Sequence, residues 1–104
     1  MAKRIIWSEQ AHIERKEILR FWTSHNKSQT YSIKLNRLFK EAIQIISEFP
    51  KIGKPTNLKD IRAKIVRDYY IFYQETKDQI FIITIWDTRQ NPNDQEKKIK
   101  KGFS

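Results

Sequence analysis

Arg62, Arg67, Arg89, Asp87 and Tyr70 are the residues whose types suit acid–base and phosphate chemistry, and all lie between residues 62 and 92. Cutting RNA by attack of its 2′-hydroxyl needs a group to take that proton and an acid for the leaving oxygen. It also needs positive charge to hold the phosphate. Arg62, Arg67 and Arg89 can supply the charge, because a guanidinium grips phosphate through paired hydrogen bonds. Proton transfer would fall to Asp87, Tyr69, Tyr70 or Lys54. A wider basic set, Lys51, Lys54, Arg62, Lys64, Arg67 and Arg89, suits the binding of nucleic acid or another anionic target without catalysis. A solvated strand face carries the same residue types, and Lys64 reads equally well as one. Arg67 and Arg89 stand at strand ends beside turn-forming or polar residues, where function tends to collect.

Other chemistry finds little support. His12 and His25 fall within and at the end of a helical segment, far in sequence from the strands, and read as packing or surface residues. The chain has no cysteine, which removes disulfides, thiolate catalysis and Cys-based zinc sites. No phosphate-cradling glycine loop, Ser-His-Asp pattern or paired-carboxylate motif occurs, so no cofactor and no metal are expected. With 21 Lys and Arg against 12 Asp and Glu, the net charge of +9 points to an anionic partner. That charge is spread over strands, loops and tail rather than along one amphipathic helix, which argues against a membrane partner. No signal-peptide core or spanning segment is read, and the expected location is the cytoplasm.

The elements that must position these residues follow from periodicity. Residues 4–7 are β-prone, and Ser8 can cap a helix over residues 8–22 with Ala11, Ile18, Leu19 and Trp22 near one face. Residues 24–29 read as a connector. Tyr31, Leu35, Leu38, Ala42, Ile45, Ile46 and Phe49 then form an apolar helical stripe, stopped by Pro50. Residues 51–57 carry two prolines and a glycine and read as a loop. Ile61, Ala63 and Ile65 alternate with Arg62 and Lys64, predicting a half-buried strand with a basic outer face. Strands are expected over 69–74 and 80–86 around a turn at 76–79, the last apolar on both faces and therefore central. Alternation puts Tyr70 and Phe72 on one face and Tyr69, Ile71 and Tyr73 on the other. One of these sets is core, and the other covers the sheet or stacks on bases. The expectation is an α+β fold, with an N-terminal strand and a two-helix hairpin packed on a small antiparallel sheet. It forms a single domain over residues 1–92, and residues 93–104 form a basic tail or short helix.

In this order the residues resemble the RelE/ParE toxin superfamily of type II toxin–antitoxin systems, of the plasmid-stabilisation type. The resemblance rests on Ile6-Trp7-Ser8 with Ala11, then Phe49-Pro50-Lys51-Ile52-Gly53-Lys54-Pro55 and Arg62. It continues through Tyr70-Ile71-Phe72-Tyr73, Ile80-Phe81-Ile82 and Ile85-Trp86-Asp87-Thr88-Arg89, and covers residues 4–92. It implies a growth-inhibiting toxin held in check by a cognate antitoxin. RelE-like members cut mRNA in the ribosome, and ParE-like members poison DNA gyrase without a nuclease site. Arg89 matches a basic residue that the nucleases keep at the end of the last strand. The arginine they place inside the tyrosine-rich strand falls on Tyr70. Their later tyrosine would fall near Gln95, and the histidine of related members near Asp87 or Thr88. That gap in the acid–base set favours the gyrase reading. A ribosome-dependent nuclease is the alternative, and a nontoxic member acting only as a binding module is a third.

Overall fold

The computed structural model describes residues 2–103. Strand β1 (Arg4–Trp7) runs into Ser8, whose hydroxyl accepts the Ala11 N–H at 2.9 Å and donates to the Ile83 carbonyl at 2.6 Å. That one side chain therefore starts helix α1 (Glu9–Asn26) and pins it to the sheet. The helix runs four residues past its expected end at Trp22, through the first half of the expected connector. It stops where Lys27 turns left-handed at φ 51°. Helix α2 (Thr30–Glu48) follows after a tight turn and ends just before Pro50. Its buried line is Leu35, Phe39, Ala42, Ile43 and Ile46. Phe39 and Ile43 thus replace Ile45 and Phe49, which are exposed.

The sheet has five strands in the order β1-β5-β4-β3-β2, with β2 at Lys54–Pro55, β3 at Ile61–Val66, β4 at Tyr69–Glu75 and β5 at Gln79–Asp87. From β5 to β2 it is antiparallel, as the short connections require, whereas β1 joins β5 in parallel. The proline-rich segment expected as loop contributes β2. Pro55 is tolerated there because an edge strand does not need its missing N–H. Between β4 and β5 the register slips at Phe72 and Tyr73, opposite the extra residue Ile83.

Both faces of the sheet are covered. One carries Val66, Tyr69, Ile71, Tyr73, Ile80, Ile82 and Ile85 against the two helices. The other gathers Ile61, Phe72, Ile83 and Trp86 under Ile99 of α3 (Gln95–Lys101), which follows a short 3-10 turn at Pro92–Asp94. Burying Ile99 contributes about 1.5–3 kcal/mol. Gly102 closes the contact, since a Cβ there would lie 2.5 Å from the Ile83 carbonyl oxygen. Among the described residues, no helix is long and apolar enough to cross a membrane.

Candidate functional site

The β3–β4 register corrects the expected placement of the basic ladder. Arg62 pairs with Tyr73 and Lys64 with Ile71, so both lie on the helix-bearing face; Ile61, Ala63 and Ile65 take the opposite one. Arg62 has a structural task. Its Nη1 donates to the carbonyls of Gly53 at 2.8 Å and Lys51 at 3.3 Å. Tyr73, fully buried, holds the same loop from below, accepting the Gly53 N–H at 2.9 Å and donating to the Pro50 carbonyl at 2.6 Å. A Cβ on Gly53 would stand 2.7 Å from that hydroxyl, so the close approach requires glycine. Lys51 and Lys54 project from this loop into solvent.

The strand ends bring a different group together. Tyr69 pairs with Asp87 across β4 and β5, and the Tyr69 hydroxyl accepts the indole N–H of Trp22 at 2.8 Å. Arg89 lies over the Trp22 ring, 5.8 Å from its centroid. The guanidinium grips Asp87 with both prongs, Nε to Oδ1 at 3.0 Å and Nη2 to Oδ2 at 2.7 Å, and the Arg89 backbone N–H adds a third bond at 2.9 Å. Those hydrogen bonds hold the Asp87 carboxyl below its usual range and raise the Arg89 pKa further. Burial pushes the Tyr69 hydroxyl upward. Asp87 is therefore a poor base, and Tyr69 stays protonated and engaged near neutral pH.

His25 joins this end of the molecule, which its place in the sequence concealed. It meets Trp22 edge-on at 5.6 Å and stacks on Phe21 at 5.5 Å. The i, i+4 spacing of Phe21 and His25 was the available signal; the length of α1 hid it. Arg67 sits in the β3–β4 turn in a left-handed conformation, φ 55°, and is exposed. Tyr70 is apart from this group. It faces the α3 side, tilted against Phe72 at 6.0 Å, and the second-face core already occupies that pair.

A cleft of about 230 Å3 opens between α1 and the end of β5. Its walls carry Glu14, Glu17 and Asp87 against Arg89 and Lys98, so the concavity is net acidic although the chain is basic. Glu14 was not singled out by the sequence. Its Oε1 accepts the Thr84 hydroxyl at 2.7 Å and the Ile85 N–H at 3.0 Å, and Oε2 meets Lys98 Nζ at 2.7 Å. With Arg89 paired to Asp87 and Lys98 to Glu14, a phosphate would meet no free cation there and the leftover charge of Glu17, a poor arrangement for holding an anion. No group of three or more His, Asp or Glu converges as a metal site among the described residues.

Comparison with known proteins agrees with this architecture. The family described as the ParE toxin of the type II toxin–antitoxin system parDE matches residues 5–92. Among solved structures, a chain of the chromosomal ParDE toxin–antitoxin system from P. aeruginosa superposes with a TM-score of 0.73 at 12% identity. The match covers 83% of this chain and 96% of that one, and at such identity it is a likeness of fold. No curated protein matches.

Proposed function

We propose that this chain, which belongs to the ParE toxin family of type II toxin–antitoxin systems, stops growth by binding DNA gyrase through its surface rather than by cutting RNA. An antitoxin partner comes with the family. The observation that supports the gyrase reading is the closed pair of Asp87 and Arg89 beside a neutral, hydrogen-bonded Tyr69. A nuclease needs a free base and a free cation at that rim, and here each neutralises the other. We place the toxin domain at residues 1–92, where the family match also ends, with the basic segment 93–104 following it and packing back onto the sheet through Ile99 of α3. Both targets under consideration put its action in the cytoplasm. Arg67, Lys51, Lys54 and Lys64 are the target-binding cations of this reading, since Arg62 and Arg89 are occupied.

A second reading, ribosome-dependent cleavage of mRNA, draws on His25, Tyr69 and Arg89 all touching Trp22. The test runs both activities on purified toxin. Lost supercoiling by gyrase, with trapped DNA breaks and intact ribosome-bound mRNA, is the expected result. Cut transcripts with normal supercoiling would overturn the proposal.

A further inference from the structure

The sheet ends on β1, whose outer side faces no further strand. Arg4 N–H donates to the Asp78 carbonyl at 3.2 Å and Ser8 N–H to the Ile82 carbonyl at 2.9 Å, so both direct their backbone groups at β5. Ile6 shares that direction, because alternate residues of a strand do. Ile5 and Trp7 therefore turn their N–H and C=O groups outward, past the end of the sheet. Edge strands are commonly blunted by a proline, a bulge or an inward charge. Apart from its shortness β1 has none of these, and its one charged residue is Arg4, at its first position. Ile5, Ile6 and Trp7 are each only half-buried. Ile6 lies beside Phe81, whose ring centroid is 5.4 Å from that of Phe103, and Phe103 is 48% exposed. An apolar strip thus borders the open edge on the α3 face.

We propose that two copies of this chain join through β1, antiparallel about a two-fold axis at Ile6, and continue one sheet into the other. The occupant is a second copy because the edge is complementary to itself. Backbone direction sets the register: Ile5 lies opposite the partner's Trp7, and each such pair exchanges both of its hydrogen bonds. The two Ile6 side chains meet at the axis, with Phe81 and Phe103 of each copy beside them. Arg4 comes opposite the partner's Ser8 and next to the partner's Glu9, an exposed carboxylate at the start of α1. Charges are therefore matched along the seam although each chain is net basic. The seam is at the opposite end of the sheet from β2 and β3. The dimer accordingly presents Lys51, Lys54, Lys64 and Arg67 at both of its far ends, whichever target those cations meet.

The test is sedimentation equilibrium of the full-length toxin freed of antitoxin, in moderate salt to screen repulsion between the two basic chains. The mass should rise with concentration from 12.6 kDa towards twice that value. Ile6→Lys sets like charges against each other at the axis and should weaken self-association by more than about tenfold, as should Ile6→Glu. Mixing the two variants should restore association, since opposite charges then meet; a contact away from the axis would not be rescued. In the unsubstituted toxin, the Ile5 and Trp7 amides should exchange more slowly as concentration rises. A toxin that stays monomeric up to about 0.1 mM would overturn the proposal. So would a dimer whose Ile5 and Trp7 amides exchange as they do in the monomer. Protection of those amides by added antitoxin alone would assign the edge to that partner and equally overturn it.

Discussion

Replacing Glu14 by alanine is the most informative single perturbation of this fold. Strand β1 ends at Trp7 and Ser8 bonds the Ile82 and Ile83 carbonyls, so beyond that point β5 is paired with β4 alone and its other edge has no strand. Glu14, on the second turn of α1, fills the gap by accepting both the Ile85 N–H and the Thr84 hydroxyl. Thr84 is fully buried and the Glu14 side chain only 11% exposed, so water cannot freely replace the lost acceptor. Hydrogen bonds to a charged acceptor are worth about 1.5–3 kcal/mol each. Lys98, 28% exposed, can turn to solvent, and its share is under about 1 kcal/mol. The expected loss is therefore roughly 3–5 kcal/mol, a large part of the roughly 5–15 kcal/mol that stabilises a small domain. Urea denaturation followed by tryptophan fluorescence should show a lower midpoint with an unchanged slope. Glu14→Gln keeps a carbonyl oxygen for the two donors and should lose roughly 1–2 kcal/mol. A loss below about 1 kcal/mol in the alanine variant would refute the view that this carboxylate completes the edge of β5. Equal losses in the two variants would instead assign the stabilisation to the ion pair.

Tyr73→Phe removes the hydroxyl that ties Gly53 to Pro50 and should cost about 2–3 kcal/mol, again read as a lower urea midpoint. Arg89→Ala should leave gyrase inhibition and antitoxin binding in place; a complete loss of toxicity would favour the nuclease. Burial raises the Tyr69 and Tyr73 pKa values above 10.0, so their contribution is complete below the unfolded value and is lost as pH rises through the folded ones. Melting temperatures should fall above about pH 10, and less steeply in Tyr73→Phe. Asp87 is shifted the other way by Arg89, so its contribution is present above the unfolded value and fades as pH falls through the lowered one. Asp87→Asn should flatten the acid limb below about pH 4.

Much of the fold was legible because its signals are local. Ser8 announced α1, the spacing from Leu35 to Ile46 announced α2, and apolar runs flanking Thr76–Gln79 announced the β4–β5 hairpin. What escaped depended on distant partners. Lys54 and Pro55 form a strand only because Ala63 and Arg62 lie opposite, and no propensity favours that. Alternation along β3 shows that Arg62 and Lys64 share a face, but not which face; α3 decided it by supplying Ile99 to cover the other side. The candidate site was read one residue type at a time, and pairing reverses the meaning of two of its members. Arg89 and Asp87 each suit catalysis separately, whereas the two-residue spacing joins them into a closed pair. Glu14 was passed over, and His25 was read as a packing or surface residue without its place beside Trp22, because what gives them partners is the return of β5 and the full length of α1.

The parallel joining of β1 to β5 also has a consequence for the protein's synthesis. The sheet's first strand waits for its last, across the 75 residues that separate Ser8 from Ile83. A chain emerging from the ribosome can form the helical hairpin early, but it cannot close its sheet until β5 has left the exit tunnel. Until then Ile5 and Trp7 lack the strand that buries them, and Asp87, Arg89 and Tyr69 have not been brought together. Nascent toxin is therefore incomplete by construction, which gives an antitoxin already present time to meet it as it folds.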